Sequence, residues 1–516
     1  MSGTAFAESG FLDGVGSGVS LARNSVYNLL GQGVPLVAAL VAIPRLIRGL
    51  GTDRFGVLTI AWMVIGYFSL FDFGLGRALT QVVAERIGTV RNAVAPVLVG
   101  PALMLMFVLG LVGTLVTSLI APWLVNSVLK IPTSLRGETL VAFYLLAAAI
   151  PTVVVTAGLA GLLSAFERFG VINAIRAALG IFTFVAPLGV LPFSQSLIWV
   201  TGVLVVGRIS ACVAYFWAGW DLIPRAPPGV RHYYNEVRPL FRFGAWMTVS
   251  NLIGPLLLYL DRFIIGAVVS VAAVAYYATP YEMATKLLVV PGAVIAVLFP
   301  AFAASYRQDQ ARLVHLYVRG TKYIALLLFP VLLLMVGFAH EGLRWWLGDE
   351  FARISTPVLQ VLAIGVFINS LAQVVFTLVQ GIGRPDLTAK LHLMESVVYI
   401  PLLWWAIHRF GIVGAATVWT ARVALDGALL SWVSSRFLGE SGRVLRRLGF
   451  GVAIALAALC LPLAITSTVP RFLLVSLILA TYAYVSWFIL LTTGERASIL
   501  TSFDRGKKNR LTTVVR

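Results

Sequence analysis

The sequence predicts an all-α integral membrane protein with about fourteen transmembrane helices. Hydrophobic residues make up 59% of the 516 residues, charged residues only 12%, and the mean hydropathy is +0.93. In soluble domains about a quarter of the residues are charged. Apolar stretches of about 20 residues, the length a helix needs to cross about 30 Å of hydrocarbon, recur along the whole chain. The alternation of polar and apolar residues that is typical of strands is absent.

The individual spans are placed where long apolar runs lie between polar or basic loops. The first 22 residues carry no Lys or Arg and have no small-residue cleavage site after a short apolar core. We therefore expect the first span to be an uncleaved insertion signal. The predicted spans cover residues 24–44, 56–80, 93–120, 140–163, 170–190, 197–219, 241–265, 272–303, 322–339, 356–381, 389–407, 412–435, 448–468 and 472–493.

One proline- and arginine-rich loop, DLIPRAPPGVRHYYNEVRPLFRFG at 221–244, separates the first six spans from the next six. Arg45 and Gly49 follow the first span, and Arg262 and Gly266 stand at the same offset of 217 residues near the end of the seventh. Six spans is an even number, so two such copies would be parallel repeats related by an axis along the membrane normal. The alternative is a chance match, because membrane helices are rich in Gly in any case.

The distribution of basic residues predicts the topology. Of the 39 Lys and Arg residues, 26 lie in the termini and in loops after even-numbered spans, and 10 in loops after odd-numbered spans. By the positive-inside rule both termini are cytoplasmic. The predicted regions are a cytoplasmic segment 1–22, an N-terminal six-helix lobe 23–220, a cytoplasmic linker 221–240, a C-terminal six-helix lobe 241–436, two additional helices 437–493 and a basic cytoplasmic tail 494–516.

The net charge of +18 is interpreted as topology plus attraction to anionic lipid, as in RVLRRLGF and DRGKKNR. The basic residues are spread over many short loops, which argues against a nucleic-acid partner. Cys212 and Cys460 both fall inside predicted spans, so they indicate neither a disulfide framework nor a metal site. No Walker A motif, HExxH motif or Cys/His cluster is present, and no cofactor is predicted.

Several segments resemble those of one known family. They are the glycine-rich first span RNSVYNLLGQGVP, the turn GLGTDRFG, the segment FDFGLGRALTQVVAE and the later FRFGAWMTVSNLIGPLLLYLDRFIIG. Together they resemble the polysaccharide or O-unit flippases (Wzx-type) of the multidrug/oligosaccharidyl-lipid/polysaccharide exporter superfamily. The resemblance implies two six-helix lobes that face each other across a central cavity, with two extra C-terminal helices.

The same resemblance implies a function. Such a protein would move undecaprenyl-diphosphate-linked oligosaccharide by alternating access from the cytoplasmic to the outer leaflet of the bacterial inner membrane, for O-antigen or exopolysaccharide synthesis. Membrane lipids and the polysaccharide polymerase machinery would be its partners, and H⁺ or Na⁺ its candidate coupling ion. The superfamily also contains drug exporters and peptidoglycan-precursor flippases, and the fold does not choose between them.

Three cations lie deep in predicted spans: Arg208, Lys286 and Arg422. Each costs about 2.5–3.5 kcal/mol to insert near the bilayer centre, so each should face protein or a water-filled cavity. A lipid-linked diphosphate is an anion that Arg and Lys can solvate inside the membrane. We therefore predict that the three cations line the cavity and bind substrate.

Acidic residues in the spans are the candidate charge partners. Glu282 precedes Lys286 and Asp426 follows Arg422, each at the four-residue spacing of one helix face, whereas Arg208 has no acidic neighbour on its own helix. The alternative for the two pairs is a purely structural contact. Two further acids lie in predicted spans, Asp261 and Glu395.

Asp72 and Arg77 stand near the predicted cytoplasmic end of the second span. Five residues place them about 140° apart on a helix, so they need not pair with each other. One interpretation is an inner gate that forms when the cavity faces outward. The other is that Arg77 extends to lipid headgroups and Asp72 caps a neighbouring helix.

Aromatic residues in the second half could stack on sugar rings, or could pack and anchor at the interface. They are Tyr276, Tyr277, Tyr281, Trp404 and Trp405. The rival functions are a cation-coupled multidrug exporter of the same fold and a polytopic glycan polymerase or ligase. The enzyme is disfavoured because the predicted external loops are about 20 residues or shorter, too short for the large loop that carries such active sites.

Overall fold

The computed structural model describes residues 35–67, 99–222, 259–306, 308–438 and 442–497, together with Leu75, Gly76, Leu79, Thr80 and Val83. Every regular element within these ranges is a helix. This agrees with the rule that a chain in hydrocarbon must satisfy its backbone polar groups internally. The chain forms two compact units, Met1–Ala275 and Tyr276–Arg516.

Within residues 99–222 the helices of the first unit follow each other with short connections. α3 continues into a π-helical turn, Leu124–Val128, and α7 into a 3₁₀ turn, Trp220–Leu222. The side chain of Ser196 caps α7 by accepting a hydrogen bond from the Ile198 amide at 3.3 Å. The described helices are α1 (35–50), α2 (Thr52–Tyr67), α3 (Val99–Trp123), α4 (Thr133–Ala148), α5 (Ile150–Ala165), α6 (Phe169–Val190), α7 (Leu197–Gly219) and α8 (259–268).

The second unit begins inside α9 and contains the longest helices. Asp309 caps α11 by accepting from the Arg312 amide at 2.8 Å, and Gly348, with φ of 97°, separates α12 from α13. The helices are α9 (Val271–Thr285), a 3₁₀ turn (Lys286–Leu288), α10 (Val289–Ser305), α11 (Gln310–Gly337), α12 (Ala339–Leu347), α13 (Asp349–Gly381), α14 (Pro385–Ser435), α15 (Gly442–Cys460), a 3₁₀ turn (Leu461–Ala464), α16 (Thr468–Val485) and a π-helical turn (Ser486–Leu490).

Ten segments of the described chain are long and apolar enough to cross a membrane. They coincide with the predicted spans from 93–120 to 197–219 and from 272–303 onward. One of them, Pro385–Ser435, contains two predicted spans, 389–407 and 412–435. The predicted spans 24–44, 56–80 and 241–265 and most of the linker 221–240 lie partly or wholly outside the described residues. The total of fourteen therefore stays a prediction.

Small residues allow the helices to approach closely, as is usual in membrane bundles. In the first unit a Cβ on Gly110 would come within 2.4 Å of Pro151 Cα, so α3 and α5 touch backbone to backbone. Thr114 Oγ1 donates a 2.8 Å hydrogen bond to the Ala147 carbonyl across the α3–α4 contact. In the second unit Gly365 of α13 packs directly against Trp419 of α14.

Contacts between helix ends agree with spans that alternate in direction. In the first unit Arg54 pairs with Glu138 at 3.3 Å, both near loops predicted to be external. Arg168 donates to the Ala218 carbonyl at 2.8 Å, both near loops predicted to be cytoplasmic. The described helices of the first unit therefore run up and down, in alternating directions. Which end faces the cytoplasm stays a prediction.

Candidate functional site

A cluster of charged residues lies within α14, which is a hairpin of two antiparallel arms. Gly411 has φ of 59° and ψ of −141°, a backbone conformation available in practice only to glycine. A Cβ on Gly414 would come within 2.2 Å of the Ala406 carbonyl oxygen, so the turn is tight. The turn brings the arms 385–410 and 412–435 side by side, and both are rich in apolar residues.

Arg422 on the second arm reaches across the hairpin. Its Nη1 lies 3.9 Å from Glu395 Oε2 on the first arm, and its guanidinium lies 5.2 Å from the ring centroid of Tyr399. The Glu395 side chain is only 4% exposed. Arg422 is the eleventh residue after the turn at Gly411, about 17 Å along the helix, and thus near the middle of its arm.

Asp426 also finds its partner across the hairpin. Its Oδ1 lies 3.4 Å from His392 Nε2, and the His392 ring stacks on Phe376 with centroids 5.5 Å apart and planes 7° from parallel. The four-residue spacing on one helix predicted Asp426 as the partner of Arg422, and the structure corrects this. The hairpin turn offers each charge a closer partner on the opposite arm, Glu395 for Arg422 and His392 for Asp426.

The cluster His392–Glu395–Arg422–Asp426 is incompletely satisfied. Within the described structure neither carboxylate oxygen of Glu395 has a hydrogen-bond partner, and Asp426 Oδ1 and Arg422 Nε also lack one. The cluster contains two carboxylates, one guanidinium and one imidazole, and its formal charges sum to minus one when both carboxylates are ionised and the imidazole is neutral. It can therefore accept one further positive charge, such as a proton.

Arg208 occupies the middle of a span in the first unit. It is the twelfth of the 23 residues of α7, so about 17 Å of helix extends on either side. The residue is partly buried, and it makes no ion pair or hydrogen bond with any other residue that the structure describes. One turn further along, Cys212 packs against a buried cluster that includes Leu159 and Leu163 of α5, so this face of α7 meets protein rather than lipid alone. That Arg208 meets substrate stays a prediction.

Lys286 lies at a break in a span. It begins the 3₁₀ turn that separates α9 from α10, near the middle of the apolar segment Val271–Ser305. Its Nζ lies 3.2 Å from Glu282 Oε2, and the two side chains are 54% and 48% exposed. The predicted pair along one helix face is confirmed. Interrupted helices near the bilayer centre are a common setting for binding sites in transporters.

The remaining candidate residues lie in different settings. Asp72 and Arg77 lie outside the described residues. Asp261 is buried in α8, and its Oδ1 accepts a 2.7 Å hydrogen bond from the backbone amide of Arg262. The sequence argument missed Arg262, which is 2% exposed and lies 5.0 Å from the Tyr259 ring centroid. It also missed His392, although a histidine inside a predicted span was itself a signal.

The aromatic candidates divide into two groups. Tyr276, Tyr277 and Tyr281 are buried, and Tyr281 packs edge-on against Trp419 with ring centroids 5.8 Å apart. For these tyrosines the packing interpretation is the better one. Trp404 and Trp405 are 54% and 53% exposed on the first arm of the hairpin.

The chain is similar to known proteins over most of its length. The family model described as "Polysaccharide biosynthesis protein" matches residues 45–356. The chain is 31% identical over 423 residues to the "Putative O-antigen transporter" of Shigella flexneri, which covers 81% of this chain and 98% of that protein. It is 25% identical over 210 residues to the "Lipopolysaccharide biosynthesis protein WzxC" of Escherichia coli (strain K12), covering 40% of this chain and 41% of the relative.

Solved structures share the fold at low sequence identity. The inward closed lipid II flippase MurJ matches with a TM-score of 0.66 and 12% identity, over 91% of this chain and all of MurJ. An inward-facing multidrug resistance MATE transporter matches with a TM-score of 0.67 and 14% identity, over 81% of this chain and 99% of the transporter. Given the family match and the O-antigen relative, the chain belongs to the polysaccharide biosynthesis protein family, the polysaccharide flippases of the multidrug/oligosaccharidyl-lipid/polysaccharide exporter superfamily.

Proposed function

We propose that this protein flips undecaprenyl-diphosphate-linked oligosaccharide units from the inner to the outer leaflet of the bacterial inner membrane, by alternating access. The relative that aligns over 98% of its length is named an O-antigen transporter. A further match, 25% identical over 80% of this chain, is the "Succinoglycan biosynthesis transport protein ExoT" of Rhizobium meliloti. The relatives are transporters, so the protein is not an enzyme. This excludes the alternative function of a glycan polymerase or ligase.

The observation that carries the proposal is the position of Arg208. A guanidinium near the middle of a span, with no anionic partner among the described residues, is costly to insert and needs a compensating anion. A diphosphate supplies one, because its oxygens match the planar donor fork of arginine. Lys286 and Arg422 lie at similar depth along their own segments, and we propose that they bind the same class of anion.

We propose the hairpin cluster as the place where a coupling ion acts. Without an added cation, the Glu395 carboxylate holds Arg422 by charge, and Asp426 lies against His392. A proton on Glu395 would weaken its hold on Arg422 and leave the guanidinium available to a phosphate. Na⁺ is the alternative ion, and transport driven by a sodium gradient at constant pH would favour it.

The rival function is a cation-coupled multidrug exporter. The match to a MATE transporter, at 14% identity, shows the shared fold and not the substrate. A pocket for cationic drugs would be dominated by acids and aromatic rings, whereas three of the mid-span residues here are cations.

The test is transport by the purified protein in proteoliposomes. We expect it to move a fluorescent diphosphate-linked oligosaccharide between leaflets faster than empty vesicles do, and to leave a cationic dye unmoved. Interaction with the polysaccharide polymerase is a further proposal that co-purification would test. Movement of the dye without movement of the glycolipid would contradict the proposed function and favour the exporter.

A further inference from the structure

A groove of about 530 Å³ opens on the second unit, and none of the four residues of the charged hairpin cluster lines it. Four helices form its walls: α11, α13, the second arm of α14, and α15. The α15 wall runs from Arg446 to Leu456, ten residues and thus about 15 Å of helix. About 15 Å is half of the roughly 30 Å hydrocarbon core, the depth of a single leaflet.

The two ends of the groove differ in chemistry. The deep end is lined by apolar side chains, among them Ile368, Leu371, Val452 and Leu456. The other end is lined by Ser431, Ser434, Ser435, Trp432 and Arg446.

Further basic groups surround the polar end. The Arg436 guanidinium lies 4.2 Å from the ring centroid of Trp432, and Trp432 is 60% exposed. Tryptophan beside arginine is typical of the depth at which lipid headgroups lie. The predicted topology places this end at the cytoplasmic face, where anionic lipids attract basic residues.

We propose that the groove is a binding site for one anionic phospholipid, with an acyl chain between α13 and α15 and its phosphate at Arg446 and Arg436. Charge complementarity selects an anionic over a zwitterionic headgroup. The depth of one leaflet selects a phospholipid acyl chain over the much longer polyprenyl tail of the transport substrate. The proposal is independent of which glycan the protein carries.

Two neighbouring arginines give a matched test of the headgroup contact. Both arginines are exposed, and Arg446 lines the groove whereas Arg447 does not. The full-length protein in nanodiscs would be photolabelled with phosphatidylglycerol that carries a diazirine in its acyl chain. We expect Arg446→Gln to lower labelling of α13 and α15 by about fivefold, the effect of one basic residue at a membrane surface. Arg447→Gln should leave the labelling within about twofold.

Substitutions at two neighbouring glycines test in the same way whether an acyl chain occupies the groove. Gly449 lines the groove and Gly451 does not, and an added Cβ at either position would meet nothing within 4 Å. A leucine side chain in place of Gly449 would fill space that an acyl chain needs. We therefore expect Gly449→Leu to lower the labelling and Gly451→Leu to leave it unchanged. Neither added Cβ meets a neighbouring atom, so both proteins should fold and elute as the parent does.

Competition by unlabelled lipids tests which lipid occupies the groove. Unlabelled phosphatidylglycerol should abolish the labelling, and phosphatidylcholine or undecaprenyl phosphate should not. Three results would overturn the proposal: equal labelling by a phosphatidylcholine probe, equal loss in the Arg446→Gln and Arg447→Gln proteins, or stronger competition by undecaprenyl phosphate, which would make the groove part of the substrate path.

Discussion

A cation near the middle of a membrane span costs about 2.5–3.5 kcal/mol to insert, and this chain carries three. Their settings differ. Arg422 is held by a buried carboxylate, Lys286 by a half-exposed one, and Arg208 by no described residue. Sequence spacing predicted the Lys286–Glu282 pair because both residues lie on one helix. It could not predict the pairs across α14, because those depend on the register that the turn at Gly411 sets between two arms.

Removing one charge of the ion pair across the hairpin should lower the stability of the protein more than removing both charges does. Arg422→Leu leaves Glu395 buried without its cation. We therefore expect the melting temperature of the purified protein to fall and its free energy of unfolding to decrease by on the order of 3 kcal/mol. Arg422→Leu combined with Glu395→Leu should recover much of this loss. Lys286→Leu, whose partner Glu282 is half-exposed, is the control and should cost less than about 1 kcal/mol. A double variant less stable than Arg422→Leu would contradict the pairing.

At the scale of elements, the positions of the apolar runs predicted most of the described spans, because length and hydropathy suffice to identify a membrane helix. They did not predict α12, a nine-residue helix between two spans, or the short turn at Lys286 that interrupts Val271–Ser305. Both depend on local backbone geometry within or beside long apolar runs. Asp261 was a candidate and Arg262 only a repeat position, and the burial of Arg262 was not predicted because it follows from packing.

The hairpin turn of α14 depends on one glycine. Gly411 has a positive φ, so Gly411→Ala should destabilise the protein by about 1–3 kcal/mol. Gly451→Ala, in the exposed middle of α15, is the matched control and should be neutral or slightly stabilising, because alanine favours a helix. Thermal unfolding in one detergent measures both. An equal effect of the two substitutions would show that the turn tolerates a side chain.

The segment that follows α16 and its π-helical turn is tied to α11 by one carboxylate. Glu495 accepts hydrogen bonds from Lys322 at 2.9 and 3.0 Å and from Tyr323. Desolvation raises the pKa of Glu495, but the hydrogen bonds from Tyr323 and Lys322 outweigh it and hold this pKa well below its usual range. A lowered folded-state pKa gives stability that is present above the unfolded value of about 4.3 and is lost as the pH falls through the folded value.

Glu495→Gln should therefore lower the melting temperature at pH 7, and the difference from the parent protein should shrink as the pH falls below about 4. Asp349→Asn is the control, because its partner Arg344 is 61% exposed and Asp349 itself 78%. Its effect should be small at both pH values. If the difference in melting temperature between Glu495→Gln and the parent protein grew as the pH fell, the lowered pKa of Glu495 would be contradicted.

At the scale of the whole molecule, the loop charges predict both termini in the cytoplasm. In each unit an ion pair joins helix ends that the predicted topology places on the same side of the membrane, Arg54–Glu138 in the first and Lys322–Glu495 in the second. A membrane-impermeant thiol reagent added outside should label Ser134→Cys, at the exposed start of α4, and should miss Gly229→Cys in the predicted linker. The opposite pattern would invert the topology, and with it the cytoplasmic position of the lipid groove.

The central claim is that cations inside the spans carry the phosphate of a lipid-linked glycan through the membrane. The most direct measurement is the initial rate of flipping of a diphosphate-linked oligosaccharide in proteoliposomes by Arg208 variants. We expect Arg208→Ala to lower the rate by about tenfold or more, as loss of a charge-assisted hydrogen bond would. Arg208→Lys should keep a substantial part of the rate, and Ile209→Ala on the exposed side of the same helix should keep nearly all of it. Unimpaired flipping by the Arg208→Ala protein would contradict the account.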